Sequence, residues 1–510
     1  EARVESVRLA KLRFEGGLTS ETAYRQAQVE LAKTTTLVPD LERQIRLKES
    51  PVSLKMPEEE RSGELRKAGH EWKNMLLGAA LALVAGCCGV GTTEADSQPL
   101  IRIGVLSDTQ SYPDENNHGQ LFLKEALANL HKAQIDVLIY GGDISDNGNP
   151  HVYADYREIM RHEFGSTPPE QILIMGNHDY WNGLPAGEAR KNFARNIGQE
   201  SPDVHKEIKG FTFIGLSPED GSLHGTYTAG KSGKFLAPIL EKAHREQPGK
   251  PVFIVTHHPP RNTVYGADDW GNSDLVELFR NYPEIVNFSG HTHYSIEDER
   301  AIFQQDFTAV ASQSLSYAEL ESGKTPGTVP AYGGDEGRYL IVDVYPERME
   351  IRRFDKNGEE VKPEARWVLP LPLARKSFRY TAERAARRGA PEFPGGSECG
   401  IYFPSVPFDK ALLTFDAAKH EDFVHSYALV LEKRNPSGNF EPAGEILFFS
   451  DFPQGVNRML ARPLFEIPGE KLEANTEYRA KLYAIESFGK RSSVPLECGF
   501  TTPEKKSGRN

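Results

Sequence analysis

Gly176-Asn177-His178-Asp179 closes the apolar run Gln171-Ile172-Leu173-Ile174-Met175, and the reading of this stretch decides the fold. Working outward, four more stretches have the same form. IRIGVLSD ends on Asp108, IDVLIYGGD on Asp143, PVFIVTHH on His257 and His258, and IVNFSGHTH on Gly290-His291-Thr292-His293. Each is a short β-branched run of the kind that forms a buried strand. Strands that end in Asp, Asn or His place metal-ligand chemistry at the carboxyl edge of a sheet, where open α/β folds bind ligands.

Between these runs lie helical patterns at His118–Gln134, His151–Glu163, Gly187–Ile197, Ser232–Glu246 and Ser273–Arg280. Further strands are expected at Phe211–Leu216, Phe307–Ala311, Arg338–Tyr345 and Met349–Phe354. Strands alternating with helices imply right-handed crossovers and a layered α/β domain. From about Ser377 the texture changes: ALLTFD, SYALVLEKR, EILFFS and PLFEIP are short runs separated by Pro, Gly and Asn. That pattern predicts an all-β sandwich.

A chain of 510 residues is long enough for two to four units, and 38% hydrophobic residues support real cores. The net charge of −13, from 60 basic and 73 acidic residues, argues against a nucleic-acid-binding surface. It leaves open a small phosphate ester drawn in by metal ions.

Residues 1–55 read as an amphipathic helical segment and resemble the closing helical region of bacterial outer-membrane efflux channel proteins, around Gly16-Gly17-Leu18-Thr19-Ser20 and Leu41–Lys48. A solvated helix pair is the plain alternative. The segment lacks the barrel strands of a channel and is assigned no function; a piece of a neighbouring reading frame is the expectation, with Met56 as the start. In residues 56–98, Arg66, Lys67 and Lys73 precede the apolar run from Met75 to Cys87. A basic flank, a run too short to span a bilayer and a small-residue exit describe a secretory signal. Val84-Ala85-Gly86-Cys87 resembles a bacterial lipoprotein signal, which implies lipidation at Cys87 and a membrane-anchored protein in the periplasm or at the cell surface; a buried apolar helix is the alternative.

The five ordered motifs together resemble those of the calcineurin-like metallophosphoesterases, from about Leu100 to Trp367. The resemblance implies an α/β fold, a two-sheet β-sandwich flanked by helices, over residues 99–370. It implies two divalent metal ions (Mn, Fe or Zn) and hydrolysis of a small phosphate ester, monoester or diester, by a metal-bridging hydroxide. Carried over motif by motif, one metal takes Asp108, Gln110, Asp143 and His293, and the other Asp143, Asn177, His257 and His291. Residues two apart in the extended Gly-His-Thr-His share a face, so His291 and His293 can each reach one metal. His178 is carried over as the group assisting the leaving oxygen, with Asp179 orienting its imidazole. His258 is expected to play a supporting part.

One departure is Gln110, where the family has His. An amide oxygen binds more weakly than imidazole and favours harder ions such as Mn²⁺ or Mg²⁺. Purple acid phosphatases carry a Tyr three residues after the bridging Asp; here the position is Asp146, so an Fe(III)–tyrosinate centre is not expected. Tyr180, Trp181, Tyr265, Trp270 and Tyr294 flank ligand motifs and are candidates for an aromatic rim or for packing. Residues 371–510 resemble a fibronectin type III domain around Asn475–Ser492; there Cys399 and Cys498 either pair as a disulfide or remain two thiols. The rival to an enzyme is a degenerate binding protein crippled at Gln110.

Overall fold

The computed structural model describes residues 98–113, 117–321, 329–330 and 333–506. The helical segment expected at 1–55, the signal-like run and Cys87 lie outside the described residues. Ser97–Asn510 forms one compact unit.

Two sheets make the first domain of the described residues. In the first, Ile101–Leu106 (β1), Val137–Tyr140 (β2) and Glu170–Leu173 (β3) run parallel. The second holds Val204–Ile208 (β4), Phe211–Leu216 (β5), Val252–Thr256 (β6), Ile285–Ser289 (β7), Ile302–Gln304 (β8) and Thr308–Ala311 (β9), in the order β4-β5-β6-β7-β9-β8. Its four central strands are parallel. Arg338–Val344 (β10), Arg348–Asp355 (β11), Glu360–Val361 (β12) and Trp367–Pro370 (β13) extend the first sheet by antiparallel pairing. The strands expected at Arg338–Tyr345 and Met349–Phe354 are β10 and β11, paired as a hairpin.

The two sheets share an apolar core in which Ile103, Val105, Ile139 and Ile172 meet Phe213, Phe253, Ile254 and Phe288. Strands buried on both faces need continuous β-branched runs rather than alternation, which is why the motif-bearing stretches are so apolar. On the outer face of the first sheet pack the helices His118–Lys132 (α1), Pro150–Phe164 (α2) and Ala186–Ile197 (α3). Lys234–Glu246 (α4) inserts Leu236 and Leu240 into the core shared by the sheets. Asn117 and Asn149 cap the first two helices, and Pro150 opens the second, as helix starts require.

The helix expected at Ser273–Arg280 shrinks to the single turn Val276–Phe279. Its intended first turn is diverted into loop contacts: the Asp274 carboxylate accepts from Tyr227 N, and Asn272 donates to His224 O and Gly225 O.

Two further sheets follow. Cys399–Tyr402 (β14), Lys410–Phe415 (β15) and later Leu464–Pro468 (β18) form one. Ser426–Arg434 (β16), Phe440–Phe449 (β17), Glu477–Ile485 (β19) and Leu496–Thr501 (β20) form the other, in the order β17-β16-β19-β20. They enclose a core around Leu413, Phe415, Leu429 and Leu482, so the expected all-β region is present. The stretch just after residue 370, expected to open that region, instead lies against the second sheet. Leu373 N donates to Gly249 O, and Gln304 N to Tyr380 O. Cys399 and Cys498 are half-buried free thiols on strands of opposite sheets, hydrogen-bonded to each other.

Tyr265 and Tyr294, candidates for a rim, are instead buried against Leu320, Phe423, Phe449 and Phe452 of the β-rich region. Tyr265 Oη lies 3.0 Å from His425 Nε2, and Val456 N donates to Glu297 at 2.8 Å. The residue after His293 is therefore braced by the C-terminal sheets. Phe452 is fully buried there. Phe452→Ala is expected to lower stability by about 3–5 kcal/mol, read as an earlier unfolding transition; an unchanged melt would contradict this packing.

Candidate active site

The carboxyl ends of β1, β2, β3, β6 and β7 converge, because parallel strands of two facing sheets expose that edge on the same side. The loops are stitched together by backbone: Asp108 N donates to Gly142 O, Gln110 N to Asp143 O, and Gly290 N to His257 O. Asp108, Gln110, Asp143, His291 and His293 all adopt positive φ, between 43° and 68°. Such conformations cost about 1–3 kcal/mol for a residue with a side chain, and they persist where the surrounding fold dictates them.

His257 Nε2 lies 3.0 Å from Asn177 Oδ1, 3.2 Å from Asp143 Oδ2 and 3.9 Å from Asp108 Oδ1. His293 Nε2 is 3.3 Å from Asp108 Oδ1. Asp108, Asp143 and His257 each offer a ligand atom, all within 4.8 Å of one another, and so do His257, His258 and His291. His257 Nδ1 contacts Gly141 O at 2.8 Å, which fixes the ring and leaves Nε2 for the cluster. Burial alone would push the His257 imidazole down, but Asp143 and Asp108 hold it up to about 9. The two carboxylates thus make a strongly negative spot that a cation neutralises.

The donor set fits a pair of divalent metals. Asp143 Oδ2, His291 Nε2 and His293 Nδ1 are buried with no hydrogen-bond partner, which is rare for polar atoms in a native fold unless a missing group satisfies them. Burial and the neighbouring His257 keep His291 well below the usual range, as a neutral imidazole able to coordinate. His258 is also held low, by burial and by His291, and its Nε2 is unpartnered. It stands closer to the cluster than the supporting part expected of it.

Gln110 sits at the rim beside Tyr317, whose hydroxyl meets its side chain and whose ring lies 4.2 Å from His293. Tyr317 was not legible as a site residue, since nothing around Ser314–Ala318 carries a ligand pattern. The hydroxyls of Ser314 and Ser316 donate to Asp108 O from the same loop.

His178 and Asp179 part company. His178 N donates to Asp143 Oδ1 at 2.9 Å, and its Nδ1 lies 3.0 Å from Asp146 O and 3.2 Å from Asp146 Oδ1. Burial would depress this imidazole, yet Asp143 and Asp146 hold it up to about 9. The expectation that Asp179 orients His178 is corrected. Successive residues of the 3-10 turn His178–Tyr180 point about 120° apart, and the buried Asp179 carboxylate accepts from Gly176 N, Ser145 N and Tyr153 Oη instead. Asp146 takes the orienting place, and its only sequence signal was its position three residues after Asp143.

Asp146→Ala is therefore expected to lower turnover about 10- to 100-fold at unchanged melting temperature. Asp179→Ala should lower the melting temperature itself. Equal effects of the two on either readout would reverse this assignment.

Trp181 is 46% exposed, with its ring 3.9 Å from that of His178. Tyr112, also exposed, hydrogen-bonds Asp146. Trp270 stands 5.9 Å from His291, whereas Tyr180 is buried and bonded to Pro218 O. Of the five aromatic candidates, Trp181 and Trp270 reach the site.

The calcineurin-like phosphoesterase family model matches residues 101–295. A probable cyclic nucleotide phosphodiesterase of Rhodococcus erythropolis is 26% identical over 236 residues, 44% of this chain and 72% of that protein. A cAMP/cGMP dual specificity phosphodiesterase of Mycobacterium tuberculosis is 26% identical over 235 residues, 44% of this chain and 68% of that protein. A probable glycerophosphodiester phosphodiesterase of Arcobacter nitrofigilis is 28% identical over 171 residues, 32% and 58% of the two chains. The span of the match holds every ligand position from Asp108 to His293 and the strands β1 to β7 that bring them together. Residues 101–295 are a calcineurin-like phosphoesterase domain, and the protein is a metal-dependent hydrolase of phosphoric esters.

Proposed function

We propose that the protein hydrolyses a small phosphodiester that carries a flat ring. The observation that carries this reading is the exposed Trp181 ring, 3.9 Å from that of His178 and tilted against it, next to the paired carboxylates Asp108 and Asp143. An exposed indole at a polar site offers a face for a base or aryl group. The phosphodiesterase relatives support the diester over the monoester.

Asp108, Gln110, Asp143, Asn177, His257, His291 and His293 would hold two divalent ions, which supply charge stabilisation at phosphorus and an activated water near neutral pH. Asp143 lies between the two ligand groups and aligns His178 through the His178 backbone N–H. His178, fixed at Nδ1 by Asp146, presents its imidazolium to the departing oxygen and hands it the proton. Trp181 shields that imidazole from bulk water on one face.

The experiment compares initial rates on bis-p-nitrophenyl phosphate and p-nitrophenyl phosphate, with Mn²⁺ and with chelator. Chelator-sensitive turnover that favours the diester is expected; a monoester preference would overturn the substrate class.

The reading extends to an exported protein anchored through Cys87, supported by the basic flank and the apolar run before that residue. Cys87→Ser should move the protein from the membrane to the soluble fraction, and retention in the membrane would reject lipidation. The strand arrangement β14-β15-β18 against β17-β16-β19-β20 supports a fibronectin type III-like identity for the C-terminal sandwich.

A further inference from the structure

Away from the ligand cluster, the loop before β8, strand β11, the β12–β13 connection, the segment after β13 and the loop between β15 and β16 enclose a cavity of about 360 Å³. Seven of its twelve lining residues are Arg or Lys and two are acidic, in a chain whose net charge is −13. None of the metal-ligand candidates lines it.

Two of the guanidinium groups are buried. Arg353 is 2% exposed and Arg384 8% exposed, and the Nε of each has no hydrogen-bond partner. Their remaining bonds go to backbone carbonyls: Arg353 to Ile296 O and Ala365 O, Arg384 to Ile302 O. The acids nearest to Arg353 include Glu297 and Asp422, and those nearest to Arg384 are Glu299 and Asp298. Each is already committed to another base. Glu297 pairs with Arg338, Asp298 with Arg300, Glu299 with Arg388, and Asp422 with Lys362. Arg379 and Arg387, at the exposed mouth, also form no ion pair with a carboxylate among the described residues.

Buried charge without a counter-charge is expensive. Burial shows its effect on Arg384, whose pKa is pushed down to about 10. A bound anion would remove this penalty. The planar forks of arginine match the oxygens of a phosphate in pairs, and the Arg353 guanidinium is held 4.5 Å above the Trp367 ring, its plane fixed for such a contact. The Asp422 Oδ2 atom is also unpartnered in this pocket. It suits an oxyanion that still bears a hydrogen, which a fully ionised sulfate lacks.

We propose that this cavity is a second binding site, for a small phosphate-type oxyanion: inorganic phosphate or a phosphate monoester, the chemical class that phosphodiester hydrolysis releases. Arg353 and Arg384 form its floor, and Arg379 and Arg387 its mouth. A lipid headgroup would present the same chemistry, but the recessed floor favours a ligand free in solution.

The test is calorimetric titration of the full chain with inorganic phosphate after chelator treatment, which silences the metal centre. Saturable binding is expected. The double variant Arg379→Gln/Arg387→Gln, changed only at exposed side chains, should weaken it about tenfold or more. Arg384→Gln should abolish it, and a thermal melt reports whether that variant folds. Phosphate binding unchanged in the double variant would overturn the proposal, as would its absence in the wild type. Titration of Asp143→Ala separates the two sites: binding lost there and kept in the arginine variants would place phosphate at the metal ligands and overturn the proposal. Co-sedimentation with phosphatidylglycerol vesicles that the double variant loses and free phosphate fails to compete would assign the site to lipid, overturning the small-ligand reading.

Discussion

Asp143→Ala is expected to abolish metal-dependent turnover while leaving a folded protein. The Asp143 carboxylate is fully buried, with one oxygen accepting from His178 N and the other unpartnered 3.2 Å from His257 Nε2. Burial opposes its ionisation, yet His257, His178 and His291 overcome that and hold its pKa well below the usual carboxylate range. Alanine removes the negative charge between the two groups of ligands and the acceptor that positions His178. Metal chemistry supplies several kcal/mol of transition-state stabilisation, so the rate should fall ~10³-fold or more. Initial rates, metal content after dialysis and a thermal melt check this together. A variant that keeps two metals per chain and the wild-type rate would end the assignment of Asp143.

Gly290→Ala is expected to be as damaging, by a different route. A Cβ on Gly290 would sit 2.1 Å from Asp108 Oδ2 and 2.1 Å from Ser107 Oγ. Neither can retreat easily, since both belong to fully buried residues and the Asp108 carboxylate also accepts from His291 N. The added methyl group must push Asp108 away from His293 or move the loop that carries both histidines. Overpacking of this kind costs about 1–3 kcal/mol in stability. Because the displaced atoms are metal ligands, metal affinity should fall further than the melting temperature suggests. Metal titration followed by competition with a chelator reads this directly. Wild-type affinity in a folded Gly290→Ala would show that the close approach of Gly290 to Asp108 is dispensable.

Tyr265, Asp179 and Gln110 show why some of the site was legible in the chain and some was not. Ligand positions were readable because each follows a strand immediately, so local sequence alone places Asp108, Asp143, Asn177, His257 and His291 at one sheet edge. The long helices and central strands were readable for the same reason: their periodicity is local. Asp179 was misread because adjacency in sequence suggested contact with His178, whereas a helical turn sends the two side chains apart. Tyr265 and Tyr294 look like rim residues beside ligand motifs, yet they are covered by Phe423 and Phe452, more than 100 residues further along. Tyr317 and Asp146 enter the site, and Arg353 and Arg384 meet at one cavity, only because distant segments pack there.

The amino-acid sequence by itself determined the two-sheet scaffold, the order of the ligand motifs and the chemistry they imply, since these rest on residue type and short-range pattern. Tertiary structure alone decided which side chain steadies His178, which aromatic rings reach solvent at the site and where buried charge is left unpaired. Those depend on distances between segments far apart in the chain, which packing sets and no local spacing encodes.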